Sequence, residues 1–299
     1  MSRARPWVAA FAIVGVAAAA AVVVGARMSS ADAPCGPGFT RAGHRCCPTP
    51  SSANESGKCA SVPQANATCP APLISTEHGC DEDEHDVVEV PATTVIVGPA
   101  DWEAEGRVQA HTVRVGAFAI DRLEVTAGRA CAFLGMEGAS FCDPKDPARA
   151  ASGVSFEQAR RFCAAKRGRI PTEDEWLAAA GGDRPRRYPW GDTGAVCRRA
   201  AWGLESGPCA EGADGPDTVG AHAEGATPLG IHDLAGNVAE WVEVPCPDPS
   251  KACPHVVRGG SYGSRLATEL RTWLRREVPT GAGDRTIGFR CAYDLPLER

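Results

Sequence analysis

Gly230-Ile-His-Asp-Leu-Ala-Gly-Asn-Val-Ala-Glu-Trp-Val242 is the stretch that decides the fold. It follows neither the helical period of about 3.6 residues nor the two-residue alternation of a strand. Its glycines, its carboxylate at a fixed step and its buried-type aromatic suit a loop in unusual backbone dihedrals, pinned by a bound ion or by side-chain bonds. Arg258-Gly-Gly-Ser-Tyr262 and Gly288-Phe-Arg-Cys-Ala292 have the same character. From Asp183 to Arg299 there is little periodicity, much Gly and Pro, and a recurring Trp or Tyr. Such a region is held by loops on aromatic anchors rather than by packed layers of regular structure.

Upstream the signals are more regular. Ser155-Phe-Glu-Gln158 and Thr172-Glu-Asp-Glu175 are capping boxes, in which a hydroxyl accepts an N–H three residues on and the later side chain reaches back. The first predicts a helix to about Arg167, stopped at Gly168 and burying Phe156, Ala159, Phe162 and Cys163. The second predicts a helix carrying Trp176, Leu177 and Ala180 inward and ending at Gly181-Gly182. Thr112–Ile120 alternates as a strand, and Thr126 caps a short helix containing Arg129 to Leu134. Cys131 and Cys142 flank a short loop and are expected to bridge.

The chain has 299 residues, enough for one large domain plus appendages, and a net charge of −6. That balance gives no basic field for nucleic acid. Residues 1–26 carry a basic start and a long apolar run that favours an uncleaved membrane anchor, with a cleaved signal peptide as the alternative. Either reading exports the rest to the cell envelope, anchored or secreted. Fourteen cysteines without a Cys-x-x-Cys pair read as disulfides. Residues 27–90 form a cysteine-rich segment with three expected loops: Cys35–Cys46, Cys47–Cys59 and Cys69–Cys80. Their connectivity is open, because six cysteines allow fifteen pairings. The globular domain is placed at 91–299, after an acidic run at 81–86.

Five motifs in order carry a family resemblance: Gly168-Arg-Ile-Pro-Thr-Glu-Asp-Glu-Trp176, Tyr188-Pro-Trp-Gly-Asp192, Gly236-Asn-Val-Ala-Glu-Trp241, Arg258-Gly-Gly-Ser-Tyr262 and Gly288-Phe-Arg290. Over 91–299 the chain resembles the formylglycine-generating enzyme, or sulfatase-modifying-factor, family. This implies an α+β chain with little regular secondary structure, a variant of the C-type-lectin-like fold. In the enzymes of that family a cysteine pair between the Gly-Gly-Ser and Gly-Phe-Arg motifs binds copper. Here Gly260 to Arg276 contains no cysteine, and Ser264 stands about where the first thiol would be. A hydroxyl does not replace a thiolate toward Cu(I), so no copper is expected.

Iron has no evident ligand set either, since the seven histidines form no His-x-x-x-His or His-x-Asp pair. The resemblance implies a structural Ca2+ on Asp233, Glu240 and the carbonyls of Gly236 and Val238, hard oxygen donors of the right type. The alternative is that Asp233 and Glu240 pair with arginines or cap N–H groups. The resemblance also implies a substrate groove, here Ser261, Tyr262, Ser264, Glu269 and Trp273. It implies Cys163–Cys291 as a disulfide, leaving Cys197–Cys209 and Cys246–Cys253 as local pairs. The expectation is an exported, non-catalytic member binding a protein, peptide or glycan. An oxidoreductase of the family, acting on a peptide or sulfur substrate without copper thiolates, is the alternative.

Overall fold

In a computed structural model the helices begin where the capping boxes place them. The description covers residues 86–98, 106–134, 146–246, 253–279 and 284–296, with the backbone alone of six short strands between 39 and 82. Those strands form three antiparallel hairpins. β1 (Phe39–Ala42) pairs with β2 (Arg45–Pro48), β3 (Ser52–Ala53) with β4 (Cys59–Ala60), and β5 (Leu73–Thr76) with β6 (Gly79–Glu82). Each hairpin overlaps one of the three predicted cysteine loops and its second strand runs past that loop's second cysteine; the cysteine side chains lie outside the described residues, as does the 1–26 segment.

The main domain opens with β7 (Val87–Val90), four residues ahead of the boundary expected from composition. β8 (Thr93–Val97) pairs with β9 (His111–Val115) as a separate hairpin. β10 (Phe118–Asp121) lies between β7 and the last strand. The alternating run Thr112–Ile120 is therefore two strands in two sheets, broken at Gly116-Ala117. Its pattern reads as continuous because alternation does not register a change of partner.

Helix α1 (Ala127–Leu134) starts with the Arg129 N–H donating to Thr126 Oγ1 at 3.3 Å. α2 (Phe156–Ala165) has both halves of its box, Gln158 N–H to Ser155 Oγ at 3.3 Å and Ser155 N–H to Gln158 Oε1 at 2.9 Å. α3 (Glu173–Gly181) repeats this with Thr172 and Glu175 at 3.2 and 2.8 Å. The stop of α2 differs from expectation. Arg167 takes the left-handed conformation, φ +60°, and Gly168 does not. Gly168 is required by packing instead: a Cβ there would lie 2.7 Å from the Tyr293 ring and 2.8 Å from the Ala292 carbonyl.

The second half is mostly loop. β11 (Ala239–Val242) and β12 (His255–Arg258) pair antiparallel, followed by β13 (Arg275–Val278). β14 (Ile287–Gly288) adds parallel to β11, which gives the order β13-β12-β11-β14. β15 (Ala292–Asp294) returns to β10 and completes the sheet β15-β10-β7.

The core runs between these layers. Phe156, Phe162, Trp241 and Phe289 form one buried cluster, and Trp176, Leu177, Ile120 and Leu234 form a second under α3. Edge-to-face contacts join Phe162 to Phe289 at 5.3 Å and Phe156 to Trp241 at 5.8 Å. Cys163–Cys291 ties α2 to the last strand across 128 residues. Closing a loop of that length contributes about 4–5 kcal/mol in the chain-entropy model. Cys197–Cys209 and Cys246–Cys253 are formed as expected. Cys131 is disulfide-bonded, while its expected partner Cys142 lies outside the described residues.

Candidate functional site

The 230–242 loop is organised by one buried arginine. Arg290 comes from the Gly-Phe-Arg motif, just after β14, and grips Glu240 through Nη2 to Oε1 at 2.7 Å and Nε to Oε2 at 2.9 Å. Trp176 Nε1–H adds a third bond to Glu240 Oε2 at 2.9 Å. The remaining guanidinium hydrogens go to the carbonyls of Asp121, Arg122 and His232. Both ions are almost fully buried, 0% and 1% exposed. A pair so far from water holds only when its hydrogen-bonding capacity is met, as it is here.

Around this pair stand two more carboxylates. Asp233 (φ +57°) accepts the Gly220 N–H through Oδ2 at 2.6 Å. Glu124 accepts the Val238 N–H at 3.0 Å and the Asn237 Nδ2–H at 2.5 Å. Burial, then the charges of Asp233 and Glu240, push the Glu124 carboxyl well above its ordinary value. Asn237 (φ +55°) also accepts the Asp217 N–H at 2.8 Å. Trp241 is core, with its Nε1–H on the Val154 carbonyl at 2.8 Å.

The residues expected to hold calcium do not fit it. Both Glu240 oxygens are committed to a guanidinium, and a dication beside Arg290 would meet a like charge in a low-dielectric interior. Among the described residues no group of three or more His, Cys, Asp or Glu is arranged to hold a metal. Arg290 thus supplies the positive charge expected from an ion. Glu124 was missed by the sequence reading. Its one signal is a lone carboxylate inside Leu123-Glu-Val125, and its partners lie 113 and 114 residues away.

The expected groove residues separate. Ser261, Ser264 and Glu269 line a cavity of about 370 Å³ together with Glu205, Arg275 and Arg276. Tyr262 is not in it. It is buried in the cluster that also holds Tyr188 and Trp202, and its hydroxyl donates to the Arg285 carbonyl at 3.2 Å. Trp273 lines a different and larger cavity of about 690 Å³. Arg258, Leu274 and Arg275 form a wall common to the two cavities.

The loop that walls the groove uses its polar groups on itself. Ser264 Oγ accepts the Ser261 N–H at 3.1 Å, and Ser261 Oγ accepts the Gly263 N–H at 3.3 Å. Glu269 Oε2 accepts the N–H groups of Arg265 and Leu266 at 2.7 and 2.8 Å. Gly260 (φ +71°) lets the loop close, since a Cβ there would sit 2.5 Å from the Glu269 carbonyl. The described residues include no free cysteine. Arg258 pairs with Glu173 at 2.7 Å, as expected of an internal arginine.

This architecture is a C-type-lectin-like variant of the formylglycine-generating-enzyme class. The family described as "Sulfatase-modifying factor enzyme 1-like domain" matches residues 75–295. The chain belongs to that family. It is 35% identical over 148 residues to the "Inactive C-alpha-formylglycine-generating enzyme 2" of Bos taurus, covering 46% of this chain and 48% of that protein. The match therefore spans about half the length of that curated relative. The "Formylglycine-generating enzyme" of Streptomyces coelicolor is 26% identical over 281 residues, covering 70% of this chain and 90% of that one. Among solved structures, PvdO from Pseudomonas aeruginosa aligns with a TM-score of 0.58 at 22% identity, over 77% of this chain and 100% of that chain.

Proposed function

We propose that the protein is an exported, non-catalytic member of its family that binds an extended peptide segment in the 370 Å³ groove. The observation that carries this reading is the spent state of the loop. Ser261, Ser264 and Glu269 each serve backbone N–H groups, which leaves no poised nucleophile or soft metal ligand where the resemblance places one. The relative named inactive supports the same reading. An extended ligand suits the groove because β13, which supplies Arg275 and Arg276, is the edge of its sheet and an edge strand can take up another strand. Disulfides among the described residues fit an oxidising compartment, and residues 1–26 would anchor the chain there.

Two measurements test this. The full chain, supplied with copper, oxygen and a cysteine-containing sulfatase peptide, is expected to form no aldehyde; turnover would overturn the non-catalytic assignment. Peptides enriched on the full chain from a random display library are expected to lose about tenfold or more in affinity with Gly263→Trp. Gly263 lines the groove and has ordinary backbone angles, with the nearest atom to an added Cβ at 3.4 Å. Unchanged binding by a Gly263→Trp variant of normal melting temperature would remove the groove.

A further inference from the structure

The larger cavity beside the groove has a chemistry of its own. At about 690 Å³ it lies within the size range of small-molecule pockets. One side is apolar, built from Val97, Val108, Leu177 and Val244. The charged side contains the first turn of α3, where three acidic residues meet three different fates. Glu175 is held by Arg169 at 2.6 Å and by Thr172. Glu173 accepts from Arg258 at 2.7 Å and from Arg275 at 3.0 Å. Arg275 also reaches Glu277 at 3.1 Å, so both of these guanidiniums are neutralised within the wall.

Asp174 is the remaining acid. It lines the cavity, is half-buried, and has no hydrogen bond or ion pair among the described residues. Burial and then the Glu173 charge push its carboxyl above the ordinary value, against the weaker pull of His111 and Arg258. Among the described residues the remaining ionisable lining groups, Arg107 and His111, are exposed, and the His111 ring meets the Gln109 carbonyl at 3.0 Å.

We propose that this cavity binds an organic cation, an ammonium or guanidinium carried on an aliphatic stem. The head pairs with Asp174 and gains a charge-assisted bond. The methylene stem lies along Val97, Val108, Leu177 and Val244, the division of labour that long basic side chains adopt at apolar surfaces. Neutral ligands leave Asp174 unpaired, and an anionic head would meet its like charge. The same chemistry has two sources: a free alkyl amine, or the side chain of a basic residue in a peptide.

Calorimetry on the full chain distinguishes these, with cadaverine, N-acetyl-lysine methylamide and its uncharged norleucine counterpart as probes. The cationic probes are expected to bind about tenfold or more tighter than the neutral one, and Asp174→Asn is expected to erase that margin. Glu277→Gln, which removes a charge already paired, is expected to keep it. Tighter binding of the lysine derivative identifies a peptide side chain as the source, and tighter binding of cadaverine a free amine. Equal binding of the neutral probe, no binding by either cation, or an undiminished margin in Asp174→Asn would overturn the site. Gly263→Trp is expected to leave cation binding intact. Its loss there would show that the two cavities act as one, overturning a separate cation site while leaving the peptide groove standing.

Discussion

The Arg290 node and the Gly260–Glu269 loop are both built from hydrogen bonds to carboxylates, yet they do different work. In the node a guanidinium and a carboxylate meet almost without water, each with every strong bond made. In the loop a half-buried carboxylate gathers two local N–H groups three and four residues away. The node joins segments 50 and 64 residues apart in sequence, whereas the loop joins neighbours. Breaking the first should unlock the domain, and breaking the second should change only a surface.

The largest test is Arg290→Met. It strands Glu240 beside Glu124 and Asp233, and loss of one partner of a buried pair costs about 3–5 kcal/mol. Urea melts should show that loss, and adding Glu240→Gln should recover part of it. A loss under about 1 kcal/mol would make the node incidental. Next is Glu269→Ala, which removes the acceptor of two partly exposed N–H groups and should cost about 1–2 kcal/mol by the same assay. If it matched Arg290→Met, the contrast between core and loop would collapse.

A pH series sharpens the comparison on a second buried pair. His222 Nε2 lies 3.4 Å from Asp217, and both are buried. Burial alone would lower the imidazole pKa, but Asp217 and then Asp233 outweigh it and raise it. A raised folded value means that the stabilisation is fully present below the unfolded value near 6.5 and fades as pH rises through the folded value. The gap in melting temperature between the parent and His222→Asn should therefore narrow from mildly acidic to alkaline pH. A gap that widens would reverse the assignment. At the surface, Arg276→Ala breaks an exposed pair with Asp284 at 2.7 Å and should cost no more than about 1 kcal/mol.

What the sequence made legible follows the same division between local and distant. Both capping boxes and the ends of α3 could be read because their signals lie within four residues. The need for Gly168 could be seen but not its reason, since the ring it avoids belongs to Tyr293. The groove residues were read as one surface because they are near in sequence. The short loop turns Tyr262 into the core and Trp273 toward another cavity. Glu124 was invisible because nothing local marks a carboxylate whose partners lie across the fold.

The smallest expected effect concerns calcium. The family resemblance and oxygen type made Asp233 and Glu240 candidate ligands, but a ligand also needs a free lone pair facing the ion. Glu240 offers both oxygens to Arg290 and Trp176, while Asp233 turns Oδ2 to Gly220. A cation entering there would have to displace a guanidinium holding five hydrogen bonds, and its binding energy would first be spent on that. Chelation with EGTA should therefore leave the melting temperature unchanged in the parent. In Arg290→Met, where three carboxylates face one another without a counter-charge, added Ca2+ should raise it. A drop in the parent on chelation would return the ion to the node and demote Arg290 to its neighbour.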